Sequence, residues 1–336
     1  MKNFYKMMFL NLMTIGTLIT LSSLSWLTAW IGLEINLLAL MPLMKEFNNK
    51  YSSEATIKYF IVQAMASAML LFSVIIFSQI KVSSMNIPFV PSILINSALL
   101  LKLGAAPFHF WFPEVISGMS WEMCFILLTW QKIAPMTLLS YSIYTPMFLS
   151  IIIVFSSITA GLQGMNQTCL RKIMAYSSIN HVGWMISAMM NSITVWTYYF
   201  MIYCIINLNI ILVFNKYNIF YMNQLNKLFS FNKKLKFMFM LNFLSLGGLP
   251  PFLGFFPKWL TINHLINNNY YTLSFILIIF TLISLYFYLR ITFSSFTLNY
   301  NESLTLIFKK VNFFHMFINF LALTGLMFCT IMCNFL

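Results

Sequence analysis

The chain has 336 residues, 60% of them apolar and only 7% charged, where a soluble domain carries about 25% charge. All six of its acidic residues are Glu, and its net charge is +13. This composition leaves no room for a water-soluble domain, and positive charge scattered through many loops, rather than gathered on one patch, excludes a nucleic-acid surface.

A membrane helix needs about 20 apolar residues. Such stretches run over 5–23, 25–44, 56–80, 92–112, 121–144, 147–164, 171–191, 194–215, 237–265, 270–293 and 311–335, eleven in all. The expected fold is therefore an all-α polytopic membrane protein. Lys2 and Lys6 before the first apolar run resemble a signal peptide with cleavage near Ala29. A retained first helix is favoured, because the following residues continue in the same style. The seventh stretch is short and holds Asn180 and His181.

Basic residues segregate between these stretches. Lys45, Lys50, Lys58, Arg171, Lys172, Lys216, Lys227, Lys233, Lys234, Lys236, Lys309 and Lys310 fall in the even-numbered connections, and Arg290 ends span ten. The odd-numbered connections hold only Lys81. The positive-inside rule then puts the N-terminus on the cytoplasmic or matrix side and the C-terminus outside.

Spans four and nine carry one motif twice. Pro107-Phe-His-Phe-Trp-Phe-Pro-Glu114 returns as Pro251-Phe-Leu-Gly-Phe-Phe-Pro-Lys258, with four identities in eight, and each copy follows small residues. Proline-broken membrane helices in corresponding positions mark an internal repeat around a transport path. Five spans apart means opposite orientation, so the repeat is expected to be inverted, with halves near 1–164 and 165–336 in one membrane domain. Two unrelated proline-kinked helices are the alternative.

Charges inside spans cost about 2.5–3.5 kcal/mol on insertion scales and are functional candidates by default. Glu34, Lys102, Lys132 and Lys258 are of this kind. A buried lysine holds its proton less tightly, and a nearby carboxylate restores the hold. One Glu and three Lys can thus form a proton relay with coupled charge states; ion pairs that set helix register are the plainer alternative. His181 is an intramembrane group of near-neutral titration, equally suited to relay or to packing. His109 suits hydrogen bonding to carbonyls freed by the first break. Glu114 and Glu122 read as surface ends of spans, and His264 and His315 as incidental. Cys124, Cys169, Cys204, Cys329 and Cys333 form no metal-ligand spacing and read as small apolar fillers. No phosphate loop, nucleophile elbow, haem or flavin motif is present, so redox chemistry by this chain alone is not expected.

The run Ala160-Gly-Leu-Gln-Gly-Met-Asn-Gln-Thr-Cys-Leu-Arg171-Lys172-Ile-Met-Ala-Tyr-Ser-Ser-Ile-Asn-His181-Val-Gly-Trp184 resembles the signature of the antiporter-like membrane subunits of respiratory complex I. Lys102-Leu-Gly-Ala-Ala-Pro107, Thr129-Trp-Gln-Lys132-Ile-Ala-Pro135 and Leu246-Gly-Gly-Leu-Pro-Pro251 through Trp259 extend the likeness over nearly the whole chain. The resemblance implies a mitochondrial form, and the Phe, Ile, Met, Asn and Lys bias fits an insect-like, A+T-rich organelle gene.

It further implies that Glu34, Lys102, Lys132 and Lys258 are the family's proton-path residues, and that His181 sits at a family histidine position in a central hydrophilic axis. Longer members have fourteen spans, and eleven matches a form lacking the first three, which leaves one flank of the Glu34 helix for another subunit or lipid. Implied partners are other membrane-arm subunits of complex I, neighbouring antiporter-like subunits and lipids. FMN, iron–sulfur clusters and ubiquinone are expected in partner subunits, and no cofactor or metal in this chain.

The expected function is proton translocation driven by NADH:ubiquinone electron transfer, in the inner mitochondrial membrane, with coupling passed from Glu34 to Lys102, Lys132 and Lys258. A stand-alone cation/proton antiporter would share the repeat, but a sodium site needs more buried carboxylates. A purely structural subunit is the third reading.

Overall fold

The computed structural model describes residues 2–46, 49–80, 89–225 and 233–296, together with 317, 319–320 and 323–325. Lys81, Lys227, Lys309, Lys310, His315, Cys329, Cys333 and most of the 311–335 stretch lie outside the described residues. The described chain is helical apart from turns and a single isolated bridge between Cys169 and Tyr221. Among the described residues, seven helical stretches are long and apolar enough to cross a membrane, and two shorter apolar helices accompany them. The protein is an all-α polytopic membrane protein. Only closed hydrogen-bonding elements such as helices can keep their backbone polar groups satisfied in lipid.

Two compact units divide the chain, Met1–Phe155 and Ser156–Leu336. The first holds α1 (Lys2–Leu21), α2 (Trp26–Met44), α3 (Lys50–Ile80), α4 (Phe89–Leu103), α5 (Trp111–Ser117), α6 (Trp121–Leu128) and α7 (Trp130–Ser140). Helix α8 (Pro146–Met165) carries the division. Ser25 starts α2 through a reciprocal capping box with Thr28. Helix α1 packs on α2, α2 on α3, α3 on α4 and α5, and α4 on α7. The outer faces of α1 to α3 present Leu18, Leu27, Phe60, Met65 and Phe72, as a lipid-facing surface should.

The second unit holds α9 (Leu170–Met189), α10 (Ile193–Tyr217), α11 (Lys233–Gly247), α12 (Phe255–Asn267) and α13 (Tyr271–Phe296). Helix α9 is the short, polar seventh stretch of the sequence. Buried positions occupy 17 of its 20 residues, and α10, α12 and α13 pack around it. Its polar character follows from that position: a helix walled in by other helices has no lipid face to cover.

One expected span is not continuous. The 121–144 stretch breaks at Thr129, between α6 and α7. Pro135 offers no N–H to the carbonyl one turn back, and the Thr129 hydroxyl bonds back to the Phe125 carbonyl at 2.7 Å, a contact that bends helices. Apolar length alone conceals such an interruption.

The two proline-bearing breaks share one backbone design. In the first, Gly104 has φ +71°, Gly104 N–H donates to Leu101 O, and Ala105 N–H donates to Leu100 O. In the second, Gly248 has φ +80°, Gly248 N–H donates to Ser245 O, and Leu249 N–H donates to Leu244 O. These are the paired bonds of a Schellman cap. Further on, Phe112 N–H donates to His109 O and Phe256 N–H to Leu253 O. These three bonds match at one constant offset in sequence, so the likeness of the two motifs extends from side chains to backbone hydrogen bonds; the second break adds Gly248 N–H to Leu244 O, Phe252 N–H to Leu249 O and Phe255 N–H to Phe252 O.

Gly248 is constrained twice over. Its φ is left-handed, and a Cβ there would stand 2.8 Å from Lys258 Cδ and 3.0 Å from Lys258 Nζ. Gly248→Ala is therefore expected to cost about 1–2 kcal/mol from backbone strain alone and to push Lys258 aside. Gly247→Ala, at a position where a Cβ meets only ordinary contacts, should be nearly neutral. Melting of the detergent-purified assembly measures both; equal losses would show that conformation at Gly248 is not what matters.

Candidate functional site

In the first unit the charged candidates converge on the first break. Glu34 lies in the middle of α2, half-buried, and its Oε1 is enclosed without a hydrogen-bond partner. Lys102 is in the last turn of α4 and 7% exposed; Lys132 is in the first turn of α7 and 2% exposed. The Glu34 carboxylate is close enough to Lys102 for their charges to interact. Lys102 and Lys132 both line one cavity, together with Asn36, Tyr59, Gln63 and Gln131. The cavity has a volume of about 20 Å³, and about 10–15 Å³ suffices for one water. Gln131 Nε2 donates to Asn36 Oδ1 at 3.0 Å, tying α7 to the helix that carries Glu34. Lys132 Nζ stands 5.8 Å from the centre of the Phe112 ring.

At the end of α4 two side chains donate to carbonyls beside the break, Trp111 Nε1 to Leu101 O (3.2 Å) and Gln63 Nε2 to Lys102 O (3.3 Å). His109 is buried inside the break, its ring 4.4 Å from that of Phe110.

The second break solves the same problem differently. Lys258, in the first turn of α12 and 6% exposed, donates to Gly247 O at 2.8 Å and to Leu246 O at 3.3 Å. A cation at a helix C-terminus is favoured by the carbonyl dipoles. Its Nζ also lies 5.9 Å from the Trp184 ring. His181, in the middle of α9 and 4% exposed, has its Nδ1 2.9 Å from the Tyr199 hydroxyl. The Tyr203 ring lies 5.0 Å from the imidazole. Tyr288 brings a third buried hydroxyl from α13. Asn180 extends the polar interior by donating to Ser284 at 3.1 Å.

The remaining sequence candidates lie apart. Glu114 holds the position in the first motif that Lys258 holds in the second, yet it is at the surface, 2.8 Å from Lys58, which also meets Glu54 at 2.8 Å. Glu122 is exposed and His264 half-exposed. Glu114→Gln is expected to leave proton movement per electron transferred unchanged, because exposed pairs contribute little; a changed ratio would bring Glu114 into the path. Among the described residues no group of three or more His, Cys, Asp or Glu side chains is placed to hold a metal ion.

Residues 23–284 match the family described as NADH:quinone oxidoreductase/Mrp antiporter, transmembrane. The chain belongs to this family. The NADH-ubiquinone oxidoreductase chain 2 of Anopheles gambiae is 47% identical over 333 residues, covering 97% of each chain. That of Locusta migratoria is 46% identical over 310 residues, covering 92% of this chain and 91% of its own. In three dimensions the fold is that of a chain in respiratory complex I from Thermus thermophilus, with a TM-score of 0.83 and 23% identity over 96% of this chain and 78% of the other.

Within this antiporter family fold, the residues that sequence reading missed are the hydroxyls and amides packed beside the candidate side chains. Tyr199, Tyr203 and Tyr288 are three among 16 tyrosines, and nothing local separates a tyrosine facing His181 from one facing lipid. Asn36 offered a weak signal, a polar residue two positions from Glu34 in an apolar span.

Proposed function

We propose that this chain is a proton-translocating subunit in the membrane arm of mitochondrial NADH:ubiquinone oxidoreductase. Near-full-length identity of 46–47% to insect chains of that name supports the assembly. The cavity shared by Lys102 and Lys132 is the observation that carries the proton role. In this reading Glu34, Lys102 and Lys132 exchange charge in the first unit. His181 and Lys258 do so in the second. Electron transfer occurs on cofactors of partner subunits, FMN, iron–sulfur clusters and ubiquinone. It alters the charge felt at Glu34 and Lys102, and a proton leaves when two neighbouring cations repel. Moving a charge against the membrane potential costs about 2.3 kcal/mol per 100 mV, so the chain needs that outside driver. Neighbouring antiporter-like subunits and lipids are the partners. The segregation of Lys and Arg between connections supports an N-terminus in the matrix and a C-terminus in the intermembrane space.

A native gel of inner mitochondrial membranes, stained for NADH oxidation, tests the assembly. Peptides of this chain are expected in the active high-mass band at one copy per complex. Their confinement to a small, NADH-inactive band would overturn the reading in favour of a lone cation/proton antiporter.

A further inference from the structure

The buried hydroxyls of the second unit are absorbed by none of the roles above, and that of Tyr199 meets the histidine directly. It is 2% exposed, it projects from α10 toward α9, and its hydroxyl is 2.9 Å from His181 Nδ1. The hydroxyl is close enough to Tyr288 on α13 for charge on one to be felt at the other. The surrounding wall is aromatic: the Tyr199 and Tyr203 rings stand 6.0 Å and 5.0 Å from the imidazole. Among the described residues, Lys258 on α12 is a charged group of this region, beside Trp184, which follows His181 by one helical turn.

A relay histidine must be held equally well before and after it takes up a proton. A carboxylate partner favours the charged ring, and an amide N–H or lysine donor serves only the neutral one. A phenol hydroxyl can donate or accept. Donating to Nδ1, it leaves the neutral ring with its proton on Nε2. Turning about its C–O bond, it accepts from Nδ1–H when the ring is charged. The ring need not move between the two states, and the identity of the protonated nitrogen is set by the bond at the other.

We propose that Tyr199 is a positioning residue of the proton path, holding His181 in one orientation through both protonation states. The proposal rests on His181 being in the path. Its test uses the assembled complex with Tyr199→Phe, His181→Gln and the double variant, each confirmed in the active band of a native gel. Protons moved per electron pair and the solvent deuterium isotope effect on coupled turnover are measured in membrane vesicles. The expected result is a lowered ratio and an altered isotope effect in Tyr199→Phe, with the double variant no worse than His181→Gln, since residues acting through one another are not additive. Additive losses, or a normal ratio in Tyr199→Phe beside a lowered one in His181→Gln, would overturn the role of Tyr199 and leave the path intact. Normal ratios in both single variants would remove His181 from the path as well. If Tyr199→Phe does not assemble, redox-difference infrared spectra of the unmodified complex with ring-labelled histidine decide instead. A turnover-linked histidine band with its Nδ1 hydrogen-bonded supports the pairing, and a band lacking that bond overturns it.

Discussion

Lys258→Met is expected to lower the number of protons moved per electron pair while leaving the subunit assembled and its stability changed by less than about 2 kcal/mol. The small stability effect comes from two opposed terms. Holding an ammonium away from water costs several kcal/mol even after relaxation. Two carbonyl acceptors, on Gly247 and Leu246, return about 1.5–3 kcal/mol each as bonds to a charged donor. Met fills a similar volume, removes the charge and strands the carbonyls, so gain and loss nearly offset. Lys258→Arg sharpens the test. Arginine keeps the charge but does not give up its proton in a protein, and the packing of the lysine stem against Gly248 leaves little room for a planar head. The ratio should fall with Arg as with Met. Proton-to-electron ratios in vesicles and melting of the purified complex are the two readouts. A normal ratio together with a marked loss of stability would reduce Lys258 to a helix cap. Lys132→Met is expected to act on the ratio in the same direction, since it removes the ammonium that Lys132 brings to the cavity it shares with Lys102.

Glu34→Gln should slow coupled turnover about tenfold, equivalent to about 1.4 kcal/mol of lost coupling, with assembly unchanged. Gln has the shape of Glu, so the packing of α2 is kept, and what goes is the carboxylate whose charge reaches Lys102. One oxygen of that carboxylate is enclosed without a hydrogen-bond partner, an arrangement that is costly for a static structural group and suited to one whose charge state changes. Lys102→Met should give a loss of similar size, and the two together should lose less than the sum if the pair acts as one element. Rates of NADH-driven proton uptake provide the measurement. Full additivity would mean that the two groups serve separate steps.

The two breaks are stabilised by different side chains. Both breaks turn through a left-handed glycine and share three backbone bonds. At the position after the second proline, however, one carries an exposed glutamate paired with Lys58 and the other a buried lysine on the helix end. In the first unit the buried lysine instead precedes the break, at Lys102, and Trp111 and Gln63 supply the donors. The same scaffold thus presents a cation from opposite sides of an interrupted helix.

Much of this was legible in the residues. Glu34, Lys102, Lys132, His181 and Lys258 could be named because a charge in an apolar stretch is conspicuous whatever surrounds it. The helices and the proline-bearing breaks could be placed because apolar length, proline and glycine act on the backbone within a few residues of themselves. Lipid also forbids the irregular structures that make soluble chains ambiguous. Tertiary structure decided the rest. It broke the 121–144 stretch at Thr129, enclosed α9 on nearly every side, put Lys102 and Lys132 on one small cavity, seated Lys258 on the carbonyls of α11 and set Tyr199 against His181. Those outcomes depend on how each helix is rotated about its axis and which distant segment it meets. Rotation is set by the packing of faces that hydropathy scores alike, since a tyrosine toward lipid and a tyrosine toward a buried imidazole differ only in what the rest of the fold brings to them.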